Sequence, residues 1–170
     1  EAAADRWLSY ADLRSAVRQR SAEFRNSARS LVFLFCKNDL RSVAAYLASF
    51  ETGHAAALLD DGLVPDAKAA LIELYRPEWI STAVDVPHPD YARAGEALWR
   101  RHSAPDAALH PDLALLLSTS GSTGSPRFVR LTRGNVEANA ESISEVLGIG
   151  PAECAIMSLP MHYSYGLSVL

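Results

Sequence analysis

Leu113-Ala114-Leu115-Leu116-Leu117 runs directly into Ser118-Thr119-Ser120-Gly121-Ser122-Thr123-Gly124-Ser125-Pro126-Arg127, and Phe128-Val129-Arg130-Leu131 resumes an extended apolar pattern on the far side. The first five residues have the length and composition of a strand buried on both faces, as in a parallel sheet. The hydroxyl-rich stretch has the chemistry of an anion-gripping loop. Gly121 and Gly124 let backbone N–H groups approach a phosphate, the Ser and Thr hydroxyls can donate to its oxygens, and Arg127 adds a fixed cation. A flexible linker would share the composition, but linkers join polar ends and this run lies between two strand patterns. It is not a Walker loop, because no Gly-Lys-Ser/Thr step follows, and no G-x-G-x-x-G follows a strand.

Working outward, strands and helices alternate. Tyr10, Leu13, Val17 and Phe24 recur at helical spacing and predict an amphipathic helix from about Ser9 to Asn26. Leu31-Val32-Phe33-Leu34-Phe35-Cys36 is a continuous apolar run of strand length. Asn38 or Asp39 can then cap a helix whose Leu40, Val43, Leu47 and Phe50 share one face, ending near Gly53. Ala55 to Leu59 is a second strand candidate. Pro65 stands where a first helical residue belongs, with Ala67, Ala70, Leu71 and Leu74 following until Pro77. From Val86 to Pro111 four prolines predict mostly connection, with one short strand around Leu98-Trp99-Arg100. Beyond the loop, Thr132 or Asn135 can cap a helix with Val136, Ala140, Ile143 and Leu147 facing inward, ended by Gly148 or Gly150. Ala155-Ile156-Met157-Ser158-Leu159 is the last strand candidate. The expected fold is α/β: alternating strands and helices forming part of a doubly wound, mainly parallel sheet.

Composition narrows the function. At 170 residues, 49% hydrophobic and 21% charged, the chain has material for one packed core. A net charge of −4 gives no nucleic-acid footprint. Arg14, Arg18, Arg25 and Arg29 share one helical face by spacing and predict a solvated stripe. Cys36 and Cys154 sit beside or within apolar runs and read as buried, packing thiols. His54, His88, His102, His110 and His162 have no zinc-site spacing, so no metal ligand is assigned. No apolar run is long enough to cross a bilayer and no charged-then-apolar leader is present, which points to the cytoplasm. The start at Glu1-Ala2-Ala3-Ala4-Asp5 and the end within Gly166-Leu167-Ser168-Val169-Leu170 predict a fragment.

The loop from Leu117 to Arg127 closely resembles the signature loop of the adenylate-forming superfamily, which holds acyl-CoA synthetases, luciferase and the adenylation domains of peptide synthetases. Three further stretches follow in that family's order. Leu8-Ser9-Tyr10-Ala11-Asp12-Leu13 resembles its L-[ST]-Y-x-x-L motif. Phe50 to Asp60 resembles its x-x-x-G-x-x-x-x-P-[LI]-D motif, with Leu58 in place of proline. Leu159-Pro160-Met161-His162-Tyr163-Ser164-Tyr165-Gly166 resembles the L-P-x-x-H-x-x-G segment of the acyl-CoA synthetase branch. Phe128 departs from the pattern, standing where a glycine often follows the loop's Lys/Arg.

The resemblance implies that residues 1–170 are the N-terminal part of the large domain of an AMP-forming ligase. It implies ATP as cofactor, a carboxylic acid as substrate, and coenzyme A or a carrier-protein thiol as acceptor. Thr119, Ser120, Gly121, Ser122, Thr123, Gly124 and Ser125 would hold the phosphates together with Arg127; His162 would act with Arg127 in catalysis; His162, Tyr163 and Gly166 would border the acid. The glutamate that helps hold Mg2+ and the lysine of the mobile C-terminal domain would lie past Leu170, so the fragment is expected to lack turnover. Two other classes fit the same residues: a non-catalytic nucleotide- or carrier-binding module derived from such an enzyme, and an unrelated α/β domain with a Ser/Thr-rich surface loop.

Overall fold

The structure, a computed structural model, describes residues 7–25, 28–103, 108–118 and 128–170. Its centre is β1 (Leu31–Cys36), the apolar run read from sequence, buried at all six positions. Such a strand needs cover on both faces, and it has it. Val32, Leu34 and Cys36 point into one core while Leu31, Phe33 and Phe35 point into the other. β2 (Ala55–Asp60) and β6 (Leu113–Ser118) repeat the alternation, with Leu58, Leu115 and Leu117 on the first side and Leu59 and Leu116 on the second.

Seven strands lie in the order β4-β5-β3-β1-β2-β6-β7. β3 (Trp79–Ser81), β1, β2 and β6 are parallel neighbours in the middle. Antiparallel strands close both edges: β5 (Leu98–Arg101) and β4 (Tyr91–Gly95) on one, β7 (Phe128–Thr132) on the other. The sheet is doubly wound. Helix α2 (Leu40–Glu51) packs Ala45, Tyr46 and Ala48 on the first face, and α3 (Pro65–Tyr75) packs Leu71 and Ile72 on the opposite one. Helix α1 (Tyr10–Phe24) lies over α2, inserting Phe24 against Trp79 and His54.

The caps settle the alternatives left by the sequence. Ser9 and Asp12 form a capping box for α1, Asp39 caps α2, and Thr132 with Asn135 boxes the start of α4 (Arg133–Leu147). Gly148, at φ 64°, closes α4 in the left-handed conformation that glycine adopts without steric cost.

Several expectations need correction. The stretch from Val86 to Pro111 carries the β4–β5 pair, and β3 lies just before it; Tyr91–Gly95 holds two alanines, an arginine and a glycine, too little apolar surface to signal a strand. Residues 155–159 form no strand; Ile156 is exposed there. Helix α4 buries no residue: Ala140 and Leu147 are exposed, and only Val136 packs against the core. In α3 the inward pair is Leu71 and Ile72, with Leu74 exposed, and Tyr10 in α1 is exposed. The arginine stripe does not form, because α1 ends at Phe24 and Arg29 instead donates to the carbonyls of Gly53, His110 and Leu113. Cys36 is buried as expected, but Cys154 is exposed.

Candidate functional site

Parallel strands bring their carboxyl ends to one edge of the sheet, and in open α/β sheets ligands bind there. At this edge Lys37 and Asn38 follow β1, Asp60 ends β2 and is followed by Asp61, and Ser118 ends β6. Phe128, the first residue of β7, is paired with Ser118. Both ends of the hydroxyl-rich stretch therefore start from this edge. Thr119, Ser120, Gly121, Ser122, Thr123, Gly124, Ser125 and Arg127 themselves lie outside the described residues. The departure at Phe128 has a packing reason: its ring meets that of Tyr75 edge-on, with centroids 5.2 Å apart, on the α3 side of the sheet.

Residues 157–161 are tied to the chain just past β1 by the side-chain amide of Asn38. Its Nδ2 donates to the carbonyls of Met157 at 3.1 Å and Leu159 at 2.9 Å, and its Oδ1 accepts from the Met161 N–H at 2.9 Å. Met161 is fully buried in the core under α2. The next residue, His162, is 5% exposed, and its Nδ1 is buried with no hydrogen-bond partner among the described residues. A buried ring nitrogen left unpaired is costly, and such atoms call for a ligand or water. Burial lowers the His162 pKa, against the Asp60 carboxylate, which raises it; the ring is neutral at pH 7.

Tyr163 differs. Half exposed, it stacks at a tilt on His162 with ring centroids 4.4 Å apart. Counted from Leu159, the histidine position of L-P-x-x-H-x-x-G falls on Tyr163, so the imidazole of this chain stands one place early and is the buried member of the pair. Gly166, in the short helix α5 (Ser164–Leu167), is buried against the carbonyl of Pro160. The structure thus brings His162, Tyr163 and Gly166 together on one segment.

Sequence reasoning missed two features of this edge. Asn38 was read only as an alternative cap; because Asp39 takes that role, the Asn38 amide is free to reach a segment more than a hundred residues on, for which local sequence has no signal. The second is Asp61, held between Lys37 at 3.1 Å and Lys68 at 3.3 Å. Burial pushes the Asp61 pKa up, but the Lys37 hydrogen bond and the Lys68 charge outweigh it and hold the carboxyl below its ordinary value. This pairing ties the start of α3 to the end of β1.

Among the described residues no three His, Cys, Asp or Glu side chains gather as a metal-holding group, and no helix is long and apolar enough to cross a membrane.

Comparison with known proteins gives a consistent picture. The family model described as AMP-binding enzyme matches residues 2–170. Sulfoacetate–CoA ligase of Cupriavidus necator is 39% identical over 108 residues, 62% of this chain and 21% of that protein. Tenellin synthetase of Beauveria bassiana is 27% identical over 184 residues, covering 94% of this chain and 4% of its own length. Among solved structures, o-succinylbenzoate CoA synthetase from Bacillus subtilis, in complex with its acyl-adenylate intermediate, superimposes with a TM-score of 0.73 at 25% identity, covering 96% of this chain and 46% of that one. The chain spans less than half the length of each of these proteins.

Proposed function

The chain belongs to the AMP-binding enzyme family, and from that premise we propose that residues 1–170 are the N-terminal part of the large domain of an AMP-forming acid–thiol ligase. The observation that carries the reading is that the paired loop ends, Ser118 and Phe128, stand at the sheet edge to which Asn38 ties the segment carrying His162, whose buried Nδ1 has no partner among the described residues.

In the proposed reaction a carboxylate oxygen attacks the α-phosphorus of ATP. The bond from that phosphorus to the bridging oxygen breaks, and pyrophosphate leaves with the electron pair. A thiolate sulfur, of coenzyme A or a carrier protein, then attacks the acyl carbon and AMP departs. The first step sets one anion against another, so positioning and charge neutralisation supply the catalysis. Thr119 to Ser125 would hold the β- and γ-phosphates by backbone N–H and hydroxyl donors, and Arg127 would lay its planar fork on phosphate oxygens. His162 would line the acid's site, its neutral ring able to hydrogen-bond a carboxylic acid without adding charge, with Tyr163 at the rim.

Magnesium would neutralise the phosphates when bound. It would be held chiefly by phosphate oxygens, with one or two carboxylates; among the described residues no three His, Cys, Asp or Glu side chains gather as a metal-holding group. Coenzyme A and ATP as co-substrates, together with free thiols at Cys36 and Cys154, favour a cytoplasmic setting. Hydroxylamine trapping tests the reading: the full-length protein with ATP and a panel of carboxylic acids should yield acyl hydroxamate and AMP in equal amounts. Absence of hydroxamate across aliphatic, aromatic and sulfonated acids would refute it.

A further inference from the structure

Met157, Leu159 and Met161 lie in an irregular segment, with a bend at Leu159 and a turn beginning at Met161, and none of them belongs to a strand. The carbonyls of Met157 and Leu159 and the Met161 N–H are met instead by the amide of Asn38, through two donated hydrogen bonds and one accepted bond. The amide carries both donors and an acceptor, so no other side chain of its size satisfies all three backbone groups at once. It projects from the second residue past β1, at the edge where the loop ends emerge.

We propose that Asn38 is a positioning residue: by binding the backbone of Met157, Leu159 and Met161 at once it fixes the buried imidazole of His162 at the acid site. The inference rests on the reading of His162 as a residue lining that site. Fixation acts from two directions. Asn38 ties the segment to the end of β1 at Met161, one residue before His162. On the other side Tyr163 N–H donates to the Pro160 carbonyl at 3.0 Å, closing the turn in which His162 lies. Met161, fully buried, anchors the backbone between them. Loss of the Asn38 amide leaves two carbonyls and an N–H to find other partners, and the segment shifts at the point where the imidazole is aimed.

The test has an arm on this chain and an arm on the full-length protein. In the unmutated chain the Met161 amide should be protected from hydrogen exchange, being donated to Asn38; exchange at the rate of an unstructured amide would overturn the proposal without any substitution. In Asn38→Ala, and in Asn38→Asp, which sets a carboxylate against two carbonyls, the His162 ring followed by NMR should titrate closer to the ordinary value of about 6.5. Asp60, whose charge acts on that ring, is unchanged in both variants; the carboxylate that Asn38→Asp adds raises the ring's pKa by its own charge, so the Ala variant carries the titration arm. In the full-length protein the KM for the acid should rise about tenfold or more while that for ATP stays within about twofold, as for a misplaced contact to one substrate. An unmoved His162 titration in folded variants, or a loss shared equally between acid and ATP, would overturn the positioning role. If the unmutated enzyme makes no hydroxamate while Met161 protection and the His162 shift are as expected, the acid-activation reading fails and the staple stands.

Discussion

A β-carbon on Gly166 would fall 2.2 Å from the carbonyl oxygen of Pro160 and 2.8 Å from that of Leu159. Both neighbours are backbone, so neither can swing aside. The glycine is required here by close approach, because its φ is not positive. It lets the first turn of α5 lie against the segment that carries His162.

Gly166→Ala should therefore displace residues 159–166 and destabilise the chain by about 1–3 kcal/mol, the usual cost of forcing atoms into a packed site. Urea denaturation of the variant measures this, and a midpoint equal to that of the parent chain would show that the turn has room.

His54 should make stability fall in acid. Its Nδ1 accepts from the Ser30 N–H at 3.1 Å, which requires the neutral ring, and Nε2 faces the Phe24 carbonyl at 3.3 Å. Burial lowers its pKa in the fold; the Phe24 backbone bond and the Glu78 charge work upward, and the Arg29 charge works downward. A proton therefore binds more readily to the unfolded chain. The contribution is complete above the unfolded value of about 6.5 and is lost as pH falls from there toward the folded pKa. His162, also lowered, adds with the same sign. The urea midpoint should drop between about pH 7.5 and about pH 5.5, and drop less in His54→Gln. A flat profile for the parent chain would contradict this.

The two cysteines should react unequally. Burial pushes the Cys36 thiol up to about 12, whereas Cys154 is exposed. Because the thiolate is the nucleophile, iodoacetamide at neutral pH should label Cys154 alone in the folded chain and both residues in urea. Labelling of Cys36 at a comparable rate before unfolding would mean that the β1 core opens.

The central sheet could be read from sequence wherever burial on two faces left an unbroken apolar run, as in Leu31–Cys36 and Leu113–Leu117. Where a strand lies at an edge and is half wet, as in Tyr91–Gly95, the run disappears and only the pairing with β5 reveals it. The opposite error arose at residues 155–159 and at Leu147: apolar residues were assigned an interior that the described residues do not provide. At the candidate site, the residue types of 118–127 and His162 carried the expectation of chemistry. Geometry was not, because it depends on Asn38 meeting a segment 119 to 123 residues away.

Exchange of labelled pyrophosphate into ATP, measured on the full-length protein with Arg127 intact and with Arg127→Ala, tests the central claim most directly. Acid-dependent exchange in the parent, reduced about a hundredfold in a variant that still folds, is the predicted result, in line with the loss of a fixed donor to developing charge. Equal exchange in both proteins, or none in the parent with any acid, would contradict a phosphate grip at the end of β6.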